Sequence, residues 1–248
     1  NLPHYKELPF PPAGTPWHLH GSPPCTSISP GNQDRIPEHR RSAVSMIEWF
    51  VQFAVDSSAV SWSMEEVPSP IVMQCMQKLR GKLRKTRFDY DVFNFSNFGI
   101  PQNRRRLIAG TPDVVARLRR APLVRVSVSS VIKRTRGTHI RNKSTRGKLG
   151  RPTIVDGKNR YKYYPYTKDD CCVPVTGPSH CVIAGGPLFW ASPHAKEDTK
   201  LLLFSVDETL KLQCFPPNYL LPRRKADCIR GIGNALPPPI MKQMLTDA

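Results

Sequence analysis

The sequence predicts an α/β fold with a mainly parallel sheet, and three observations support this class. Segments with strand and helix character alternate through the first part of the chain, as they do in α/β layers. The 248 residues are 39% hydrophobic, which is enough for one or two domains with a buried core. No apolar run approaches the ~20 residues that a membrane span requires, so we expect no membrane partner.

The individual elements follow from the spacing of apolar residues. Ala43, Ile47, Phe50 and Ala54 recur at helical intervals and predict one amphipathic helix. In order, the first predicted elements are a strand at Trp17–His20, a helix over 39–55, a strand at Ala59–Met64, a helix at about 69–85, and a β-rich run at Phe88–Phe95 with a hairpin partner at Arg106–Ala109.

Regular patterning returns near the C-terminus. Ser205 and Glu208 form a capping-box signature for a helix at Val206–Gln213. Gly231–Asn234 then reads as a loop before a final helix that begins with proline. We therefore expect three regions: an α/β core over 1–111, a basic region over 112–185, and a return to the core over 186–248.

The positive charge of the chain is concentrated in one region. The net charge is +18, and residues 104–168 contain 19 basic and two acidic side chains. A segment of this kind can neutralise the phosphates of a nucleic acid, so it predicts a nucleic-acid partner. The alternative interpretation is a solvated loop whose charges only keep it in water. Its densest cations are Lys133, Arg134, Arg136, Arg141, Lys143, Arg146, Lys148 and Arg151.

Four tyrosines lie between cations in the same region, and two interpretations of them stay open. Aromatic rings among cations suit the stacking of nucleic-acid bases, but their near-alternate spacing also suits the core of a strand. The tyrosines are Tyr161, Tyr163, Tyr164 and Tyr166.

The seven cysteines argue against a disulfide framework and against a zinc site. Their number is odd, and no Cys-x-x-Cys spacing occurs. We expect reduced thiols in an intracellular protein, and no metal ion.

Two side chains at predicted strand ends could carry chemistry. Cys25 follows the first strand on the loop Gly21-Ser22-Pro23-Pro24-Cys25, and Glu65 ends the second strand. Active residues of α/β sheets collect at the carboxyl ends of strands. A lone cysteine is usually structural, but a cysteine on a stiff loop facing a carboxylate is a candidate nucleophile.

Four blocks of the sequence, in this order, resemble motifs of the DNA cytosine-5-methyltransferase family. Gly21-Ser22-Pro23-Pro24-Cys25 is similar to the nucleophile loop of the family, and Glu65-Glu66-Val67 is similar to its Glu-Asn-Val motif. Gln102-Asn103-Arg104-Arg105-Arg106 is similar to its Gln-x-Arg-x-Arg motif. Gly233-Asn234-Ala235-Leu236-Pro237-Pro238 is similar to its closing motif. The resemblance spans about residues 17–248.

The resemblance implies a partial Rossmann-like S-adenosylmethionine-dependent methyltransferase fold with a small basic target-recognition region. Cys25 would add to C6 of a flipped-out cytosine, and Glu65 would hold N3 and the exocyclic amine. Arg104 and Arg106 would orient the base and Glu65 and lower the pKa of Cys25. The methyl donor S-adenosylmethionine would be held by Pro23, Pro24, Asn234 and Leu236. Duplex DNA would be contacted by Gln102 and the basic region.

The sequence also departs from the family pattern. Thr26 and Glu66 replace a usual Gln and Asn, and no Phe-x-Gly-x-Gly cofactor loop precedes Trp17. We therefore expect an upstream segment or a partner chain to complete the cofactor site. The alternatives are a catalytically incomplete homologue that binds nucleic acid, and an RNA cytosine-5-methyltransferase. A DNA substrate implies work in the nucleus, in a nucleoid or on viral DNA.

Overall fold

The computed structural model describes residues 11–12, 14–25, 27–28, 36–83, 88–133, 139–142, 153–155, 158–160, 172–182, 188–191 and 202–246. The chain forms two compact units. The first comprises Asn1–Asn94, Arg105–Pro122 and Met241–Ala248, and the second comprises Phe95–Arg104 and Leu123–Ile240. The helix that follows residue 111 belongs to the first unit, which therefore extends beyond the predicted core.

The described elements begin with a strand and end with a helix. In chain order they are β1 (His18–Gly21), α1 (Pro37–Asp56), β2 (Ser61–Glu66), α2 (Pro70–Lys82), β3 (Asp89–Asn94), a 3-10 turn (Phe95–Asn97), β4 (Gln102–Asn103), β5 (Arg105–Gly110), α3 (Pro112–Arg120), α4 (Val128–Val131), β6 (His139–Asn142), β7 (Thr153–Val155), β8 (Lys158–Arg160), β9 (Cys172–Pro174), β10 (Ser179–His180), β11 (Leu188–Ala191), β12 (Leu202–Leu203), α5 (Val206–Leu212), α6 (Lys225–Asn234) and α7 (Pro238–Leu245).

The first unit is built on a mixed four-stranded sheet with the order β1-β2-β5-β3. β1 and β2 are parallel, whereas β5 is antiparallel to both β2 and β3. Three strands therefore run in one direction, and β5 runs against them. The α/β class is confirmed, but only one of the three strand pairings is parallel, because β3 and β5 form the predicted hairpin.

The core of the first unit follows the apolar spacing of its helices. Ala43, Ile47, Phe50 and Ala54 of α1 are all buried, as their helical spacing predicts. The same core includes side chains from α2, β2 and β5. Burial of this face supplies the hydrophobic driving force that fixes α1 against the sheet.

The second unit contains short strands and its own apolar core. Its four-stranded sheet has the order β12-β11-β6-β9, with every pairing antiparallel. The pair β10 and β4 is parallel, and β7 pairs antiparallel with β8. Its buried apolar side chains include Val128, Ile140, Val182, Leu188, Phe204, Leu210, Leu212 and Ile232.

The C-terminal part confirms two sequence predictions and corrects a third. Ser205 and Glu208 form the predicted capping box at the start of α5, and α7 begins at Pro238. The predicted loop at Gly231–Asn234 is wrong, because these residues form the last turn of α6. Helical packing outweighs the low helix propensity of the glycines, since α6 buries Cys228, Ile232 and Gly233. Among the described residues, no helix is long and apolar enough to cross a membrane.

Candidate active site

Cys25 lies on a loop that starts at the end of β1. Parallel pairing puts Gly21 opposite Met64, so this loop begins beside the end of β2. A Cβ atom at Gly21 would collide with the ring of Phe50, and glycine is therefore needed for β1 to approach α1. Pro23 is buried and Cys25 is half-buried. The loop thus holds a partly accessible thiol near the end of the second strand.

Glu65 is held by groups from both neighbouring strands. The hydroxyl of Ser22 donates to Glu65 Oε2 at 2.8 Å and to the Glu65 carbonyl at 3.1 Å. Arg106, on β5, places its Nε 2.6 Å from Glu65 Oε1. The Glu65 side chain is only 6% exposed and that of Arg106 only 13% exposed. A carboxylate fixed at both oxygens has a defined orientation, as a group that binds a base edge requires.

Glu66 has a different environment from its neighbour. It is 1% exposed, and its Oε2 accepts a hydrogen bond from the backbone N–H of Val67 at 2.7 Å. Burial raises the pKa of Glu66 to about 8, and the negative charge of Glu65 acts in the same direction. At neutral pH the buried Glu66 is therefore mainly in its uncharged form.

The thiol of Cys25 is less acidic than the sequence suggests. Burial raises the pKa of Cys25 above its ordinary value, and the nearby Glu66 and Glu65 raise it further. The charge of Arg106 acts in the opposite direction. The predicted lowering effect of Arg106 is confirmed in sign, but burial and two carboxyl groups outweigh it, so the net pKa of Cys25 is raised.

Two histidines on β1 form a hydrogen-bonded ladder with serines on β2. His18 bonds Ser61 through Nδ1 at 2.7 Å and Ser63 through Nε2 at 2.8 Å, and His20 bonds Ser63 at 2.8 Å. Ser61, Ser63 and Glu65 alternate along β2 and therefore share one face of the sheet. Burial lowers the pKa of His20 to about 4, so it is neutral at physiological pH. This ladder was not predicted from the sequence. The alternating His-x-His and Ser-x-Ser-x-Glu patterns on neighbouring strands were the signals that could have indicated it.

The structure offers no candidate metal centre in the part of the chain that it describes. There, no group of three His, Cys, Asp or Glu side chains is placed to hold an ion.

Gln102 and Arg104 are buried in the second unit. Gln102 donates to the Leu212 carbonyl at 2.8 Å and to Gln213 Oε1 at 2.7 Å, and accepts from the Val182 N–H at 2.9 Å. This geometry gives Gln102 a structural role, and its predicted contact with nucleic acid stays a prediction.

Arg104 is 1% exposed and binds backbone carbonyls of the second unit. It donates to Val182 at 2.8 Å and to Gly233 and Ala235 at 3.1 Å each. These contacts tie β4 to the end of α6. Its predicted role in orienting the base stays a prediction.

The residues predicted to hold the cofactor are divided between the units. Pro23 and Pro24 lie in the first unit, buried and exposed respectively. Asn234 ends α6 in the second unit with an exposed side chain, and Leu236 is half-buried. An exposed amide close to an apolar side chain suits a nucleoside-containing ligand. The predicted cofactor contacts of these four residues stay a prediction.

Most of the predicted phosphate-binding cations lie outside the described residues. Lys133 is exposed after α4, and the backbone of Arg141 lies in β6. The cations outside the described residues are Arg134, Arg136, Lys143, Arg146, Lys148 and Arg151. The four tyrosines and Thr26 also lie outside them.

Solved structures resemble this chain in fold at low sequence identity. Dnmt2 methyltransferase of S. pombe has a TM-score of 0.50 at 15% identity, covering 92% of this chain and 76% of its own. A protein described as a DNA modification methyltransferase encoded within an E. coli prophage has a TM-score of 0.52 at 13% identity, with 92% and 77% covered. A mutant DNMT2 of Spodoptera frugiperda has a TM-score of 0.51 at 17% identity, with 92% and 79% covered.

These likenesses confirm the Rossmann-like fold of S-adenosylmethionine-dependent methyltransferases. No curated protein sequence matches the chain significantly. The family model for C-5 cytosine-specific DNA methylases matches residues 123–248, slightly more than half of the chain. The chain belongs to the C-5 cytosine-specific DNA methylase family.

Proposed function

We propose that this protein methylates C5 of cytosine in DNA, through a covalent bond between Cys25 and C6 of a flipped-out base. The observation that carries the proposal is the arrangement of Cys25 and Glu65 at adjoining strand ends, with both Glu65 oxygens held by Ser22 and Arg106. A nucleophile beside an oriented carboxyl group is the pairing that this reaction requires.

Cys25 supplies the nucleophile. C5 of cytosine is a poor nucleophile until a thiolate adds to C6 and moves electron density toward C5. The new Sγ–C6 bond is temporary, because transfer of the C5 proton to solvent water after methylation lets the thiolate leave again. Burial raises the pKa of Cys25, so the thiol has to give up its proton, to solvent water, when Sγ attacks C6.

Glu65 holds the base and passes to N3 a proton taken up from solvent, since a carboxylate paired with Arg106 has none of its own. Negative charge builds on the ring as Cys25 adds, and a carboxyl group at N3 and the exocyclic amine offsets it. Ser22 and Arg106 fix both oxygens of Glu65, so little orientational freedom is lost when the base arrives. Because the ring must reach a recessed thiol, the base leaves the stacked duplex.

The cofactor would be held by Pro23, Pro24, Asn234 and Leu236. When bound, S-adenosylmethionine supplies an electrophilic methyl group. The exposed amide of Asn234 offers both a donor and an acceptor, and Leu236 offers an apolar surface. An upstream segment or partner chain would supply the glycine-rich loop that is not in this sequence.

DNA is the substrate that we favour. The family description names DNA, and residues 104–168 hold a net charge of +17 that suits a phosphate backbone. Gln102 and the cations from Lys133 to Arg151 would contact this duplex. Work on DNA would place the protein inside the cell, in a nucleus, in a nucleoid or on viral DNA.

The experiment is transfer of labelled methyl groups from S-adenosylmethionine to duplex DNA and, in parallel, to tRNA. Cys25→Ser should abolish transfer, by at least about 1,000-fold, because the hydroxyl of serine is a far weaker nucleophile. Cys214→Ser is the matched control, since Cys214 is also half-buried with a raised pKa but lies in the second unit.

Each outcome assigns a function. Transfer to DNA that Cys25→Ser abolishes supports the proposal, whereas transfer to tRNA alone replaces it with an RNA enzyme. Salt-sensitive DNA binding without any transfer, even after an upstream segment is restored, would instead identify a binding protein.

A further inference from the structure

The second carboxyl group at the end of β2 has no role in the proposed chemistry. Glu66 is 1% exposed, less than any other acidic side chain in the described part of the chain. A family member would usually carry an uncharged asparagine at this position. A buried carboxyl group is costly to keep unless it is paired or neutral, so its presence needs a physical explanation.

The buried carboxyl group of Glu66 has fewer polar partners than that of Glu65. Its Oε2 accepts from the Val67 N–H at 2.7 Å, and its Oε1 is buried without a hydrogen-bond partner among the described residues. Within those residues, no lysine or arginine forms an ion pair with Glu66. Glu65, one residue earlier, has both the hydroxyl of Ser22 and the guanidinium of Arg106. Two adjacent carboxyl groups thus have opposite environments.

The uncompensated environment favours a proton on Glu66. Since Oε2 already accepts from the backbone, the proton belongs on Oε1, where no donor stabilises a negative charge. The charged groups that face Glu66 are Glu65 on its own strand and Arg106 on β5, and Cys25 faces it from the loop after β1. Glu65 also acts on Cys25, but its charge is paired with that of Arg106, whereas Glu66 has no such cation among the described residues.

We propose that Glu66 is a positioning residue whose proton keeps Cys25 reactive, and that losing this proton makes the thiol a several-fold weaker nucleophile. A neutral Glu66 adds no negative charge where the Cys25 thiolate has to form. Glu66 is the last residue of β2, and the loop that carries Cys25 begins beside the end of this strand, so an ionised Glu66 repels the thiolate. The inference rests on the proposed function only in giving Cys25 its catalytic role.

The direction of the pH effect follows from the order of titration. The pKa of Glu66 is about 8, and burial holds the pKa of Cys25 above its ordinary value of 9.0. As the pH rises, Glu66 therefore ionises before the thiol does. Between about pH 8 and pH 9, the reaction rate of an isolated thiol rises steadily with pH. The rate of Cys25 should rise less steeply, because Glu66 becomes negatively charged over the same range.

Alkylation of Cys25 by iodoacetamide tests this without cofactor or nucleic acid. Mass spectrometry of the peptide that contains Cys25 gives the rate from pH 6.5 to pH 9. At pH 6.5, Glu66→Gln and the unchanged protein should react at the same rate, because both have a neutral group at residue 66. At pH 8.5 the variant should react roughly five-fold faster, because its site carries one charge fewer.

The controls separate charge from folding. Glu48→Gln removes a carboxyl group that interacts with Cys75, and should leave alkylation of Cys25 unchanged at every pH. Glu66→Asn provides a second neutral variant should Glu66→Gln fail to fold. Thermal unfolding of each variant identifies the folded ones before alkylation.

Two results would overturn the inference. One is an identical pH profile for the unchanged protein and the folded neutral variant. The other is a ratio of alkylation rates, variant to unchanged protein, that differs from one by the same factor at every pH. A charge effect must disappear at the low pH values where Glu66 is neutral. Because alkylation needs no turnover, the outcome is independent of whether the protein methylates DNA.

Discussion

Arg104 and Arg106 belong to one sequence motif, yet they lie in two different units and bind different kinds of partner. Arg106 pairs with a carboxylate beside the candidate nucleophile, and Arg104 donates to the carbonyls of Val182, Gly233 and Ala235. Arg104 is 1% exposed and the side chain of Arg106 is 13% exposed, so both are largely shielded, and shielding alone does not distinguish a site residue from a structural one. The chemistry of the partner does, because a carboxylate can bind substrate while an internal carbonyl holds the chain together.

The largest expected effect is the loss of the carbonyl contacts of Arg104. Arg104→Leu leaves backbone acceptors of the second unit without their donor, and should lower the free energy of unfolding by about 3–5 kcal/mol. Urea denaturation measures the change. Arg230→Leu is the control, since Arg230 is an exposed arginine of α6 and should cost less than about 0.5 kcal/mol. Equal costs for the two variants would contradict a structural role for Arg104.

Arg106 should be replaceable together with its partner. Arg106→Leu leaves the buried Glu65 carboxylate without a cation, and should destabilise the protein by about 3 kcal/mol. Adding Glu65→Gln removes that charge, so the double variant should recover about 2 kcal/mol of the loss. Denaturation of the two single variants and the double variant gives this coupling directly. A double variant no more stable than Arg106→Leu would show that the ion pair is not the cause.

The same pair of variants separates stability from chemistry. Methyl transfer should fall about 100-fold in Arg106→Leu and should not recover in the double variant, because the proposed reaction needs a carboxyl group at residue 65. Recovery of stability without recovery of activity is the result that distinguishes Arg106 from Arg104.

Local sequence signals were sufficient for several helices and for the placement of two candidate residues at strand ends. Apolar spacing predicts α1 within two residues of its bounds, and the capping box predicts the start of α5. These signals are local, since a helix face and an N-cap are read from residues a few positions apart. Loop and strand patterns likewise place Cys25 and Glu65 at strand ends.

What the sequence could not supply depends on contacts between distant residues. Arg104 and Arg106 are equivalent by motif, and only tertiary structure shows that one meets a carboxylate and the other meets carbonyls. The helical state of Gly231–Asn234 also depends on packing, since its local propensity predicts a loop. The net direction of the Cys25 pKa depends on burial, which no spacing rule measures.

The smallest expected effect concerns Ser22, the neutral partner of Glu65 in the first unit. Ser22→Ala removes the 2.8 Å hydrogen bond to Oε2 but leaves the ion pair with Arg106, so Glu65 loses only part of its orientation. Methyl transfer at saturating substrate should fall about 10-fold, equivalent to about 1.4 kcal/mol, with the KM for S-adenosylmethionine unchanged. Ser22→Thr keeps the hydroxyl at an exposed position and should retain most of the rate. Full activity in Ser22→Ala would mean that Arg106 alone orients Glu65. The ion pair with Glu65 would then be the feature of Arg106, absent from Arg104, on which catalysis depends.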